Sequence, residues 1–392
     1  MKLLRTLVIA IAALAATTAY AISPEARGTA MGEAYIPFAE GAEGAWWNPA
    51  TLGAPVLGSV GLGLSAVVGN NALTLNRMMG IVANTDSEKR AAVEDIRKTD
   101  EKVWNATGEA VGGGAVTVMG IGVFAYPQVR LEARNVSPDA AEFALFYPNV
   151  DAGRDKYDFT GEFMKATWME VGLGYGQEVF DAIPGLKLSA GATVKLLKGV
   201  DYEKASMTQK FDKGSLVLPT SSTTHWKSTD GSGFAADLGI HAKVLGVIDG
   251  SVMVKNLGGK LKWKCDMETG AFDQSSLKFV STMEKGKEVE QELPVMVVAG
   301  VGAHIPVVGT AAGVEVENNT TDSETRFHVG AEQSMLGVLS LRAGYLTKSG
   351  GLPALVTFGA GVGVLVARLD VGGGLASGGK GGEVSVSGLV SF

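Results

Sequence analysis

The chain of 392 residues holds a single cysteine, Cys265, and only 4 histidines. One thiol excludes an internal disulfide, a C-x-x-C redox pair and a cysteine zinc site. The histidines, at 225, 241, 304 and 328, stand far apart and lack ligand spacing. Charge is sparse: 19% of residues are charged, the net charge is −7, and no Lys/Arg-rich run interrupts that balance. Such a chain, with a pI near 5.3, is not a general nucleic-acid binder. After residue 21 no apolar run reaches the roughly 18 residues that a transmembrane helix requires.

Catalytic motifs are missing as well. "GGLASGGKGG" (373–382) has an approximate phosphate-loop spacing, but Gly381 stands where Ser or Thr must hold magnesium. "GLGYG" and "GAGVG" are two-residue repeats that open no helix, so a dinucleotide site is unsupported. There is no G-x-S-x-G and no obvious Ser/His/Asp order. The chain reads as a non-enzyme with no cofactor and no metal.

What is abundant is glycine: 54 residues, nearly twice the usual share, beside 46% hydrophobic residues. Twelve prolines and that apolar content argue against disorder. The first residues, "MKLLRTLVIAIAALAATTAYA", combine Lys2 and Arg5, an apolar Leu7–Ala16 core and an Ala19-Tyr20-Ala21 cleavage site. The expectation is a secretory signal peptide over 1–21, cleaved after Ala21; the alternative is a buried N-terminal helix.

From residue 167 onward the dominant pattern is strict alternation. In "TWMEVGLGYGQEVF" (167–180), Met169, Val171, Leu173 and Tyr175 share one face, with Glu170, Gly172, Gly174 and Glu178 on the other. "TRFHVGAEQ" (325–333) sets Phe327 and Val329 against Arg326, His328 and Glu332. Soluble sandwiches alternate too. These strands run about 11 residues, the length needed to cross a bilayer at a tilt. Their links alternate between short, near 182–186, 245–248, 306–309, 335–338 and 364–366, and long, near 200–231, 257–293, 319–325, 347–354 and 376–382. Short periplasmic turns with longer outer loops mark outer-membrane barrels.

Strands are expected near 56–69, 114–126, from about Val129, and near 167–180, 186–199, 231–244, 247–257, 293–305, 308–318, 325–335, 337–347, 354–364, 366–376 and 382–392. The fold class is therefore all-β, an antiparallel transmembrane barrel of about fourteen strands, an even count that returns both ends to one side. The last strand, "EVSVSGLVSF", places Val384, Val386, Val390 and the terminal Phe392 on one face, the closing-strand signal of such barrels. The barrel spans 56–392.

Two stretches do not alternate. Residues 22–55 are small, acidic and turn-rich, suited to a tail or to a plug inside the barrel. Residues 84–108 read as a helix between the first two strands, with Thr85 and Glu88 as a capping pair. It is a solvated outer loop or a lid over the mouth.

The face opposite the apolar one collects Glu170, Glu178, Asp237, His241, Lys243, His304, Arg326, His328, Glu332, Arg342, Arg368 and Asp370, with lysines such as Lys195 and Lys255 among them. A single-sign ring would imply an ion-selective pore. This mixed set pairs with itself or with a plug. Glycine on the same face leaves room for a segment or ligand close to the wall.

"ARGTAMGEAYIPFAEGAEGAWWNPATLG" (26–53) carries Ala30-Met31-Gly32, an acidic turn at 40–43, Trp46-Trp47 and Asn48-Pro49-Ala50. This resembles the mature start of the FadL-like outer-membrane transporters of long-chain fatty acids and other hydrophobic compounds. "HVGAEQSMLGVLSLRAGY" (328–345) and the Phe-terminated last hairpin resemble a branch that includes the type IX secretion shuttle and TraF-like barrels. The resemblance implies a fourteen-stranded barrel whose N-terminal segment folds inside as a hatch. Phe38, Trp46, Trp47, Asn48, Pro49 and Ala50 would then line the hatch and the solute path. Trp46 and Trp47 otherwise sit at the periplasmic membrane interface, where aromatics are enriched. The expected function is passive uptake of hydrophobic small molecules such as long-chain fatty acids across the outer membrane. The competing reading is a scaffold or shuttle that binds exported proteins. The expected partners are outer-membrane lipid and a hydrophobic solute, with exported proteins under the second reading and no nucleic acid.

Overall fold

The computed structural model describes residues 23–392 apart from 54–56, most of 70–103, 137–155, 213–219, 274, 277, 322, 348–353 and 377–380. Alternating residues stand on opposite faces of a strand, and each strand here pairs antiparallel with its neighbours. The elements in chain order are β1 (Gly58–Val68), β2 (Trp104–Val118), β3 (Ile121–Val136), β4 (Lys156–Ile183), β5 (Leu186–Asp212), β6 (Thr220–Ser228), β7 (Gly231–Val244) and β8 (Ile248–Asp273). There follow β9 (Lys278–Glu292), β10 (Met296–Ile305), β11 (Thr310–Asn319), β12 (Glu324–Met335), β13 (Leu339–Leu346), β14 (Leu355–Val364), β15 (Ala367–Ala376) and β16 (Gly382–Ser391).

Together they make a closed barrel of 14 strands. β6 and β7 occupy one track: both pair with β5 on one side and β8 on the other, and the track breaks at Asp230. β9 and β10 share the next track along β8, broken around Pro294. The ring closes where β1 pairs with β16, from Ser59↔Ser391 to Val68↔Gly382. At the rim Gly58 and Phe392 exchange two backbone hydrogen bonds of 2.9 Å, which leaves no open edge there.

The outward faces carry exposed Leu62, Leu173, Leu196, Ile240, Val314, Phe327, Phe358 and Leu369. An apolar band around the whole wall is far larger than any patch a soluble monomer carries, and it marks a lipid-facing surface. No described helix is long and apolar enough to cross a membrane.

The strands differ from the sequence reading in several places. The stretch 114–126 is not one strand; it contains the β2–β3 turn at Met119 and Gly120, both at positive φ. The apolar residues change phase across it, from Val116 and Val118 to Ile121 and Val123, a slip of one that marks the turn and that the sequence reading passed over. The strand expected from Val129 is the far half of β3. The long links at 200–231 and 257–293 are largely strand, in extended β5 and β8 and in β6 and β9. Residues 104–108 open β2 rather than ending a helix. Of 84–103 only Thr85, Ser87, Ala91 and Glu94 are described, the last three helical. The question of loop or lid therefore lies outside the described residues, as does the leader 1–21.

Candidate functional site: a segment packed inside the barrel

Residues 23–53 fill the lumen. They form two short helices, α1 (Ala26–Ala30) and α2 (Gly44–Trp47), with 3-10 turns at Gly41–Glu43 and Pro49–Gly53. Helices this short are not stable alone, so packing holds them. Ala26, Ala30, Met31, Ala34, Tyr35, Ile36, Ala42 and Leu52 are buried. The inward glycines of the wall explain the close fit. A β-carbon at Gly330 or Gly344 would collide with the backbone of Met31 and Gly32, and one at Gly176 or Gly191 with Pro49.

Wall side chains satisfy the backbone groups of this segment. Ser387 Oγ accepts from Ala26 N at 3.0 Å, Ser59 Oγ from Ala42 N at 2.7 Å, and Glu315 Oε2 from Ile36 N at 3.1 Å. Thr357 Oγ1 donates to Ala30 O and Ser251 Oγ to Ile36 O, both at 3.1 Å. His328 Nδ1 donates to Gly32 O at 2.9 Å. Short irregular backbone inside a barrel is tolerated because of such partners.

A closed ring of charge ties the segment to the wall. Arg27 grips Glu332 of β12 with two bonds of 2.8 Å and Tyr35 with one of 2.9 Å. Tyr35 donates to Glu43 at 2.8 Å, and Glu43 meets Arg368 of β15. Arg368 Nε lies 2.6 Å from Asp370, and Arg342 of β13 lies 2.8 Å from Asp370 and also holds Glu332. Three arginines face three carboxylates, so the ring is neutral as a whole, as buried charges must be. Beside it, burial together with nearby Glu43 pushes the Glu25 carboxyl up to about 8, against the pull of Arg368.

Trp46 and Trp47 lie within the lumen rather than at the membrane interface, 4% and 8% exposed. Trp46 meets Tyr126 edge-on at 5.0 Å, and Lys255 Nζ stands 3.5 Å from its ring centroid. Trp47 meets Tyr35 at 5.5 Å and covers Gly28. Asn48 Oδ1 accepts from Ala50 N at 3.0 Å and its Nδ2 reaches Ile240 O at 3.2 Å, which fixes the turn through Pro49. Phe38 is half-buried against Gly302 and Gly313.

The expected luminal residues separate into groups. Glu332, Arg342, Arg368 and Asp370 form the ring. Glu170 and Asp237 flank fully buried Lys195 at 3.7 and 2.9 Å. His241 and Lys243 lie 3.3 and 3.5 Å from Asp249, and Lys243 also reaches Glu40 at 3.4 Å. Arg326 Nε donates to Thr347 O at 2.9 Å. Glu178 and His304 share the inward face but stand exposed at the end of the barrel with the short turns, where Glu178 pairs with Lys187 at 2.9 Å.

Sequence reasoning missed Arg27, Tyr35 and Glu43, because a segment without a period does not say which side chains reach a wall 300 residues away. It also missed a second aromatic cluster in the outer lumen, where Trp168, Leu197, Tyr202, Leu261 and Trp263 are buried together. There Tyr202 stacks on Trp263 at 5.1 Å. The charged knot around Lys195 separates this cluster from the one at Trp46. The cavity beside Trp46, Trp47, Met253 and Lys255 is about 30 Å³, room for about one water.

Solved structures share this architecture. A Pseudomonas putida toluene transporter, TodX, matches with a TM-score of 0.56 at 13% identity, over 96% of this chain and 99% of that one. A FadL homologue from Pseudomonas aeruginosa matches at 0.55 and 11%, over 96% and 100%. The CymD monoaromatic hydrocarbon channel gives 0.54 and 11%, over 96% and 99%. The fold is that of the FadL-type barrels. Residues 48–218 match a family described only as of unknown function, DUF5723. No curated protein matches the chain.

Proposed function

We propose that this barrel lies in the outer membrane and passes hydrophobic small molecules by diffusion, long-chain fatty acids among them. Residues 1–21 are the leader removed on export, 22–55 the movable hatch and 56–392 the channel. The observation that carries this reading is the pair of aromatic clusters in the lumen, one at the outer end around Trp168, Tyr202 and Trp263 and one against the hatch around Trp46, Trp47 and Tyr126. Several luminal charges between and beside them are paired, as at Lys195–Asp237 and Arg342–Glu332, and both signs are present, which differs from the single-sign ring of an ion-selective pore. The toluene and monoaromatic hydrocarbon channels with the same fold support it. Because the cavity at the hatch holds no solute of that size, transport requires the hatch to shift.

The test is uptake of a fluorescent long-chain fatty acid into liposomes holding the refolded protein, beside Trp46→Ala/Trp47→Ala. Barrel-dependent uptake that changes in the variant is expected. No uptake by either, with the barrel folded, favours the scaffold for exported proteins.

A further inference from the structure

The tight turns at the end of the barrel where Gly58 and Phe392 meet are unlike turns in water. Turns of this kind place residues at positive φ and favour Asn and Gly. Here Met119, Leu245, Leu336 and Leu365 take those positions, with φ from 50 to 55°. A non-glycine residue in that conformation costs about 1–3 kcal/mol. Side-chain burial does little to offset it: Leu336 and Leu365 are fully exposed, Val307 is 96% exposed, and Met119 and Leu245 more than 70%. No charged residue occurs in 119–120, 245–247, 306–309, 336–338 or 365–366. A lone exposed leucine is ordinary. A ring of apolar tips at turn after turn is not.

We propose that this rim is seated in the inner leaflet of the outer membrane, with Met119, Leu245, Val307, Leu336, Leu365 and Phe392 among the lipid. The proposal rests on the reading of the chain as an outer-membrane barrel. Three features select lipid over a soluble partner. The tips run on without a break from the outward apolar band, since Val338, Val364 and Val366 beside them are exposed on that face. They are spread around the circumference, as a bilayer is, whereas a docked protein covers one side. The short strands also leave no surplus height. β14 and β15 have 10 residues each. Ten residues at about 3.3 Å, tilted by about 40°, stand about 25 Å tall, the height of the apolar band of such barrels. Moving a leucine tip out of water returns about 1.5–3 kcal/mol, comparable with the backbone strain.

The β4–β5 turn is the polar exception, with exposed Asp181 and Lys187 3.6 Å apart beside it.

The experiment places an environment-sensitive fluorophore on single cysteines in a Cys265→Ala background. The positions are Leu336→Cys and Leu365→Cys at the rim, Ala182→Cys beside the polar turn, and Val314→Cys on the outward band. The labelled proteins are reconstituted in phosphatidylethanolamine–phosphatidylglycerol vesicles, with a spin-labelled acyl chain or iodide as quencher. Severalfold quenching by the spin-labelled lipid at 336 and 365, with iodide acting severalfold more strongly at 182, is expected. Iodide quenching at 336 and 365 as strong as at 182 overturns the proposal. If position 314 also quenches with iodide, the membrane-barrel reading itself has failed, which separates the two failures.

Discussion

At the scale of single residues the hatch is held by charge that cancels locally. Glu332 is the junction, because it receives Arg27 from the hatch and Arg342 from the wall. Removing one partner from a buried pair leaves the other uncompensated, at about 3–5 kcal/mol. Glu332→Gln keeps the shape and removes the charge. Its expected effect is a hatch that undocks about a hundred- to several-thousandfold more often, since 1.4 kcal/mol is a factor of ten. Single-channel recordings in planar bilayers measure this as the frequency of openings, and an unchanged frequency shows that the ring is not the latch. Alternation along β12, β13 and β15 places Glu332, Arg342, Arg368 and Asp370 on the inward face from sequence alone. Their partners were not legible. Arg27 and Glu332 lie 305 positions apart, and the pairing exists only once the barrel has closed around the segment.

At the scale of elements the same alternation explains what could and could not be read. Lipid demands an apolar outer face, so strands inside the bilayer announce themselves with a period of two. The first part of β9 stands clear of the rest on both faces, and residues 280–288 are exposed without exception. No face has to be apolar there, the period disappears, and the stretch reads as a loop. The inward glycines carry a different message. They are legible as small residues facing a lumen, but what they receive is the hatch backbone, as at Gly344. Gly344→Val puts a branched side chain where Gly32 and Met31 now lie. The barrel edge there is unaffected, because strand pairing of β13 needs no particular side chain. The expected outcome is a folded, heat-resistant barrel by gel mobility whose hatch is cut by added protease severalfold faster than in the parent. A hatch equally resistant in the variant contradicts its packing against Gly344.

At the scale of the whole molecule, the shift of the hatch proposed above carries a linkage to protons. Glu25 lies buried at the start of α1, facing Glu43, Arg368, Asp370 and Ser387. Burial and the neighbouring Glu43 carboxylate raise its pKa from 4.5 to about 8, so the docked hatch holds a proton that the undocked hatch releases. The sign follows from linkage: the stabilisation is complete below about 4.5 and is lost as pH rises through about 8. One proton can change the docked-to-undocked ratio by at most about tenfold per pH unit in that window. Channel openings are therefore expected to become more frequent from pH 6 to pH 8.5 in the parent protein. Glu25→Gln, neutral at every pH, removes this part of the dependence and keeps the hatch at its low-pH occupancy. A parent and variant with the same pH profile would mean that Glu25 keeps its charge when docked, with Arg368 outweighing burial and Glu43.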